Sequence, residues 1–421
     1  MAAMRIVSAR TAVQRIPDGS RVVLPHGCVE PTAFYDALLA EHERFRRLRL
    51  YSGLQFGDYP FLRAGLGAHF TYTTWQASSK LRDLFAQRHI DFLPIRFRDV
   101  TRIVSREGPV PPDVVVVQVS PPDRGHVSLG ISVSLYRDLT AHAPLVIGEI
   151  NRHMPVTHGD TRLPVDAIDC AIESEAPLGV YPVPRRTARD TSIADRVLGL
   201  IPRGAWVQFG VGAVPDAVLA RLHEVPDTNI HSGMLTDGVI DFVTHSRHRA
   251  HVVTGEVAGS VALYEFVGRT PQIEFHPSSV THDLAPIAAL PRFVSVNSAV
   301  EVDLAGQVNG ETVDGVQISG VGGSLDFVEG AAASPGGLAI LALPSTTEDG
   351  RCSKIVARLA AHTPVTIPRY CTDYVVTEYG VARLKGKTLR ERAAALVAIA
   401  HPDFRDGLAD DARARGSARN P

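Results

Sequence analysis

The sequence predicts an α/β protein built from parallel sheets and divided between two domains. Three observations carry that expectation. Short Val- and Ile-rich runs recur at helix-length intervals along the whole chain, and buried strands alternating with helices mark parallel sheets. The chain has 421 residues, more than the roughly 250–300 that one core accommodates. Its apolar share of 45% is ample for two cores.

The elements follow in order. Ile6, Ala9, Val13 and Ile16 recur at helical spacing, which predicts an amphipathic helix ending near Asp18-Gly19. This opening segment has three arginines and no acid before Asp18, a weak likeness to a transit peptide, but it lacks the apolar stretch of a secretory signal. RVVLP (21–25), DVVVVQV (113–119) and PLVIGEI (144–150) read as buried strands of one sheet. AWVQFGVG (205–212), NIHS (229–232), HVVTG (251–255), FVSVNS (293–298) and LAILALP (338–344) repeat the pattern. Helices are expected at Pro215–Leu222 and Cys352–His362. The Pro- and Arg-rich segment 176–191 reads as a linker, dividing the chain near 185 into domains 1–185 and 186–421.

Composition excludes several function classes. Lys and Arg number 43 against 45 Asp and Glu, so there is no basic footprint for nucleic acid or an anionic membrane. No run approaches the ~18 apolar residues of a membrane span. The four cysteines (Cys28, Cys170, Cys352 and Cys371) form no CxxC pair. That argues against a disulfide scaffold or a zinc ribbon and fits a reducing, cytoplasmic setting. Only Lys80, Lys354, Lys385 and Lys387 are available as Schiff-base amines.

Two glycine loops carry the chemical signal. FGVGAVPDAVL (209–219) follows a strand and opens a helix, where free amides favour an anionic oxygen. It fails as a dinucleotide fingerprint because Pro215 takes the third glycine position. In the second, Gly315, Gly320, Gly322 and Gly323 fall within nine residues, with Asp326 as a candidate helix cap. So much glycine is costly in backbone entropy unless a ligand or another chain segment passes close. Loops of this kind at strand ends predict a cleft at the carboxyl edge of a sheet. His245, His248 and His251 drift around a helix instead of sharing a face, so no metal site is expected there. Ser232 and Ser345-Thr346-Thr347 lack a base motif, which argues against a serine triad.

Six segments resemble, in order, the acetyl-CoA hydrolase/CoA-transferase family, in the branch typified by 4-hydroxybutyrate CoA-transferase. They are VSPPDRGHVSLGIS (119–132), IGEINRHMPVTHGD (147–160), FGVGAVPDAVL (209–219), VNSAVEVDLAGQVNGE (296–311), SGVGGSLDF (319–327) and a final block from DYVVTEYGVARLKGK to AHPDF (373–404). The resemblance implies two α/β domains of the CoA-transferase type, with the acyl-CoA site in the cleft between them. It implies an acyl-CoA thioester as substrate, a small carboxylate or other acyl acceptor as partner, no tightly bound cofactor, no metal, and a homodimer. In that family a glutamate attacks the thioester, giving an acyl-glutamyl anhydride and then a glutamyl-CoA thioester. Two backbone amides hold the oxyanion. The matching positions here are Val211 and Gly323, with Gly212 and Gly322 beside them on the oxyanion and CoA side.

One departure falls on the reacting group. Where the family reads His-(Ser/Thr)-Glu-Met, this chain reads His231-Ser232-Gly233-Met234, so Gly233 stands at the nucleophile's position. Glycine has no nucleophile to offer. This favours hydrolysis or acyl transfer without the usual glutamyl-CoA intermediate. Glu256, which follows HVVTG where the family tends to be apolar, is one replacement; a solvated loop glutamate or a partner of Arg249 is the plainer account of it. His282 is the other, as a general base for water with Asp283 as orienter or helix cap. The alternatives are transfer through Glu256 as a relocated carboxylate, and a protein that binds CoA thioesters without turning them over. Tyr51, Phe56, Phe70 and Trp75 are candidates to line an acyl pocket, although core packing explains them equally well.

Overall fold

The computed structural model describes residues 4–57, 59–65, 67–87, 89–182 and 185–417. The chain forms two compact units. The first comprises Met1–Val183, Val252–His282 and Val316–Gly322; the second comprises Pro184–His251, Asp283–Gly315 and Gly323–Pro421. The chain therefore passes between units several times, whereas a division at 185 is a single cut. Residues 183 and 184, beside that cut, lie outside the described residues.

In the first unit, helix α1 (Ala9–Gln14) is capped by the Ser8 hydroxyl, which accepts from the Thr11 amide. It stops four residues short of the expected Asp18, because Pro17 disfavours helical backbone at Ile16. Strand β1 (Arg21–Val23) leads to α2 (Thr32–Ala40), followed by β2 (Leu48–Ser52), β3 (Phe70–Thr74) and β4 (Ile90–Phe92). The chain then adds β5 (Val114–Val119), β6 (Leu145–Asn151) and β7 (Cys170–Ser174). The sheet order is β7-β6-β5-β1-β2-β3-β4, and every pairing is parallel. All six residues of β5 are buried, which is why its sequence is apolar apart from Gln118 instead of alternating. Val22, Leu50, Val116, Ile147, Phe34 and Leu38 share the core beneath. Strand β1 pairs with β2 on one side and β5 on the other. Its carboxyl end is therefore a topological switch point, where parallel sheets open a crevice.

A buried carboxylate fixes the loop that leaves β1. Pro31 at the start of α2 offers no side-chain cap, so the free helix amides need an acceptor from elsewhere. Glu149 of β6 supplies it. Its Oε2 accepts from the Phe34 amide at 3.0 Å and its Oε1 from the Gln118 amide nitrogen Nε2 at 3.3 Å. The same Gln118 nitrogen donates to the Glu30 carbonyl at 3.0 Å. Burial raises the Glu149 pKa above 4.5, outweighing the Phe34, Ser174 and Gln118 hydrogen bonds that act the other way.

The second unit opens with α3 (Ala188–Leu198), held by a capping box between Thr187 and Asp190. Part of the expected linker is thus helical. Strand β8 (Trp206–Phe209), α4 (Ala213–Arg221) and β9 (Asn229–Leu235) follow. The chain then returns to the first unit with β10 (Val252–Val257) and β11 (Ile273–Phe275), which pair in parallel. The second unit resumes with α5 (Leu284–Ala289), β12 (Phe293–Asn297), α6 (Ser324–Ala333), β13 (Leu338–Ala342), β14 (Tyr374–Thr377) and β15 (Gly380–Arg383). Its strands run β15-β14-β13-β12-β8-β9, parallel except for the antiparallel last hairpin. Phe293, Phe327, Leu341, Val375 and Leu396 fill its core. A second switch point lies between β8 and β12.

Two expectations are corrected. Cys352–His362 is not a helix: Ile355–Val356 is a strand paired with Glu301–Asp303, and Ile355 is fully buried. The β-branched pair fits a sheet partner better than an isolated helix. The run NIHS continues to Leu235 and HVVTG to Val257, so Gly233 and Glu256 lie within strands and do not follow them. Among the described residues no helix is long and apolar enough to cross a membrane.

Because the folded Glu149 binds its proton more tightly than the unfolded chain does, its stabilising contribution is full below pH 4.5. It is lost as pH rises through the folded value. The stability of the wild type minus that of Glu149→Gln, from urea unfolding, should therefore fall with rising pH across that window.

Candidate active site

The loop after β1 enters the first switch point through Gly27, whose φ of +70° is left-handed. Its amide donates to the Leu54 carbonyl at 2.7 Å. A side chain at this position would begin 3.5 Å from Glu256 Oε2. The preceding residue, His26, is 2% exposed, and its Nε2 lies 2.9 Å from the same oxygen. The imidazole is flanked by Phe97 and Tyr136, with ring centres 5.9 and 5.3 Å away. At the end of β2, a Cβ on Gly53 would stand 2.7 Å from both His26 Nδ1 and Trp75 Nε1. Glycine there is what lets the two rings approach.

Glu256 is 6% exposed, in strand β10. It is neither a solvated loop residue nor a partner of Arg249, as the plainer account had it. Ser132 donates its hydroxyl to Oε2 at 3.2 Å. The segment around Ser132 clamps the strand: Ile131 accepts from the Val257 amide at 3.0 Å, and the Val133 and Ser134 amides donate to the Gly255 carbonyl. The neighbouring Tyr136 and Cys28 stay protonated at neutral pH. Burial first, then the Glu256 charge, pushes the Tyr136 phenol well up. Burial drives the Cys28 thiol up to about 12, with the charges of Glu30 and Glu256 adding to it and a Tyr264 hydrogen bond opposing. Cys28 is thus no thiolate nucleophile.

His282 is 4% exposed, with its ring centre 4.5 Å from that of Phe97 and its Nδ1 2.9 Å from Thr281 Oγ1. Phe97 therefore touches both His282 and His26, linking the two predicted residues, Glu256 and His282, in one cluster. Asp283 does not orient the imidazole; its carboxylate accepts from the Leu284 amide and caps α5. Gly322 meets the same cluster, since its carbonyl accepts from the Phe97 amide at 2.9 Å in a left-handed backbone with φ of +55°. Gly320 has no room for a Cβ, which would fall 2.2 Å from the Trp75 carbonyl. The second glycine loop thus accommodates close passage of another chain segment, as its composition demanded. Phe70 and Trp75 are buried in packing, while Phe56 lies against Tyr181 at 4.8 Å.

In the second unit, the glycine loop after β8 and the end of β12 meet at the other switch point. Gly210 donates to the Val296 carbonyl at 2.8 Å, and a Cβ there would fall 2.8 Å from Asn297 Oδ1. The Gln208 and Asn297 amides exchange two hydrogen bonds at 3.1 and 3.0 Å. Val211 is half-exposed at the loop tip, and Gly212, with φ of +143°, begins α4. Gly323 begins α6, with Asp326 buried in its first turn. Gly233 is buried in β9. Ser232 donates to the Met234 carbonyl at 2.9 Å, and Ser345 donates to Glu378 at 2.8 Å. His245 and His248 lie against the backbone carbonyls of Asp241 and Thr228. Among the described residues no three His, Cys, Asp or Glu side chains gather as a metal site.

His26 is the residue that sequence reasoning missed. It directly follows the predicted strand 21–25, but only the strand order reveals that this strand borders the switch point.

The fold and these motifs define an enzyme that acts on CoA thioesters. The family model for the acetyl-CoA hydrolase/transferase N-terminal domain matches residues 3–182, and that for the C-terminal domain matches 259–412. The chain belongs to the acetyl-CoA hydrolase/transferase family. It is 37% identical to a 4-hydroxybutyrate coenzyme A transferase of Clostridium kluyveri over 98% of both chains. It is 33% identical to a succinyl-CoA:cyclohexane-1-carboxylate CoA transferase of Geobacter metallireducens over 97% of this chain and 95% of that one. Among solved structures it is similar to RipA from Yersinia pestis, with a TM-score of 0.91 at 30% identity over 98% of both chains. A 4-hydroxybutyrate CoA-transferase from Porphyromonas gingivalis gives a TM-score of 0.80 at 33% identity, again over 98% of both.

The packing at Gly53 provides a test. Gly53→Ala forces apart His26 and Trp75, and a displacement near 1 Å costs about 10²-fold in rate. Acyl-CoA turnover should fall by that order while far-UV circular dichroism stays unchanged.

Proposed function

We propose that the protein transfers CoA between acyl-CoA and a carboxylate, with Glu256 as the carboxylate that meets the thioester. The observation that carries this is the setting of Glu256: a buried carboxylate with one oxygen in polar contact with His26 and Ser132. Similarity to CoA transferases over nearly the full chain supports the reaction class. A Glu256 oxygen attacks the thioester carbonyl carbon, the C–S bond breaks, and CoA leaves as thiolate. The thiolate then attacks the glutamyl carbonyl of the anhydride, releasing the first carboxylate and leaving a glutamyl-CoA thioester. A second carboxylate reverses these steps. Val211 and Gly323, with Gly212 and Gly322, keep the oxyanion and CoA roles that their motifs imply.

Hydrolysis is the second reading. It is favoured by Gly233 standing where the resemblance puts a nucleophile, and by 29% identity to an acetyl-CoA hydrolase of Yarrowia lipolytica over 48% of this chain and 41% of that one. Here His282 activates water. The division into domains 1–185 and 186–421 is proposed as the family's, in keeping with the matches to 3–182 and 259–412. A homodimer in a reducing cytosol completes the proposal; the free state of Cys28, Cys170, Cys352 and Cys371 is in keeping with that compartment.

Incubation with acyl-CoA followed by acid quench and peptide mass spectrometry tests the reaction. Transfer predicts a CoA adduct on Glu256, and Glu256→Gln should lower turnover by at least ~10³-fold. CoA release with no adduct, lost in His282→Ala, would instead establish hydrolysis. A Gly233→Glu variant should gain acetate-dependent transfer if that position is the family's nucleophile.

A further inference from the structure

A carboxylate nucleophile has two chemically equal oxygens, and its terminal torsion is broad and roughly two-fold. Something must choose which oxygen reacts. In Glu256 all the polar contact falls on Oε2: His26 Nε2 at 2.9 Å and the Ser132 hydroxyl at 3.2 Å. A Cβ built on Gly27, next to His26 in the same loop, would lie at ordinary van der Waals distance, 3.5 Å, from the same oxygen. Among the described residues no hydrogen bond reaches Oε1.

His26 itself has no other evident reason to be where it is. The ring is almost wholly buried, and neither nitrogen has an aligned hydrogen-bond partner among the described residues. A buried polar group in that state is costly. Among the described residues its one polar contact of ion-pair range is Glu256. Phe97, Tyr136 and Gly53 hold the ring from three sides. Of the other groups around Glu256, the Tyr136 hydroxyl is committed to the Leu24 carbonyl at 3.1 Å, and the Cys28 thiol stays neutral. The imidazole and the Ser132 hydroxyl are therefore the polar groups that meet this oxygen.

We propose that His26 is a positioning residue: with Ser132 it holds Oε2 of Glu256, so that Oε1 is the oxygen that attacks the thioester. This rests on the reading of Glu256 as the reacting carboxylate. His26 touches neither substrate nor the reacting oxygen; it acts through Glu256 by presetting its rotamer. Presetting geometry matters because a misplacement near 1 Å is worth about 10²-fold in rate.

The test compares two variants of similar bulk in the full-length protein. His26→Phe keeps the aromatic packing against Phe97 and Tyr136 but removes both nitrogens, while His26→Gln keeps an N–H that reaches toward Oε2. Rapid-quench measurement of adduct formation on Glu256 at saturating acetyl-CoA reads the step directly. The expected result is a rate about 10²-fold lower in His26→Phe, with KM changed less than about 3-fold, and recovery of at least about 10-fold in His26→Gln. Equal adduct rates in wild type and His26→Phe would overturn the positioning role while leaving Glu256 as nucleophile. Equal losses in both variants would likewise overturn it, reducing His26 to a space-filling part. Absence of any Glu256 adduct in the wild type would overturn the reading of Glu256 and this proposal with it.

Discussion

A carboxyl group held out of water constrains the first unit around it. Burying a carboxylate is costly unless donors or an opposite charge replace the lost solvent. Glu256 meets that demand with groups from two separate stretches of chain: His26 in the loop after the first strand, and Ser132 from the segment 131–134. Each of these depends on backbone that cannot move independently. The left-handed turn at Gly27 is tied to Leu54, and the segment around Ser132 exchanges amide hydrogen bonds with Gly255 and Val257. The carboxylate and its surroundings therefore form one rigid assembly.

A second buried carboxylate, Glu149, works by the same physics at a structural position. It satisfies the start of α2, which Pro31 leaves without a side-chain cap, and through Gln118 it is coupled to the Glu30 carbonyl. The loop 24–31 is thus anchored from below by Glu149 and faces Glu256 with its His26 side chain. One carboxylate orders the loop that presents the partner of the other. Both depend on strand β1 lying between β2 and β5, which opens the sheet at this edge.

The second unit repeats the device without a charge. Its glycine loop after β8 lies against Asn297 at the end of β12, and the Gln208–Asn297 amide pair joins the two strands. Gly210 leaves room for that contact, and Gly212 turns the chain into α4. The exposed tip at Val211 is the consequence: backbone is presented at a helix start, where the helix dipole favours an oxyanion.

The sequence by itself determined the α/β class, because short β-branched runs such as Val114–Val117, recurring at helix-length intervals, suit strands buried on both faces. It also located both glycine loops, since their composition is costly anywhere but at a close approach. It singled out Glu256 and His282 as candidates, because both depart from the pattern of the family that the sequence resembles. What it did not carry was environment. Glu256 in sequence is compatible with a solvated loop; only the tertiary structure buries it, by bringing residues 26 and 132 to residue 256. The segment 352–362 has a locally helical pattern, and only pairing with Glu301–Asp303 made part of it a strand. His26 has no motif at all. Its place follows from strand order, and strand order is set by which apolar faces pack together across long stretches of chain, a non-local property that local spacing does not encode.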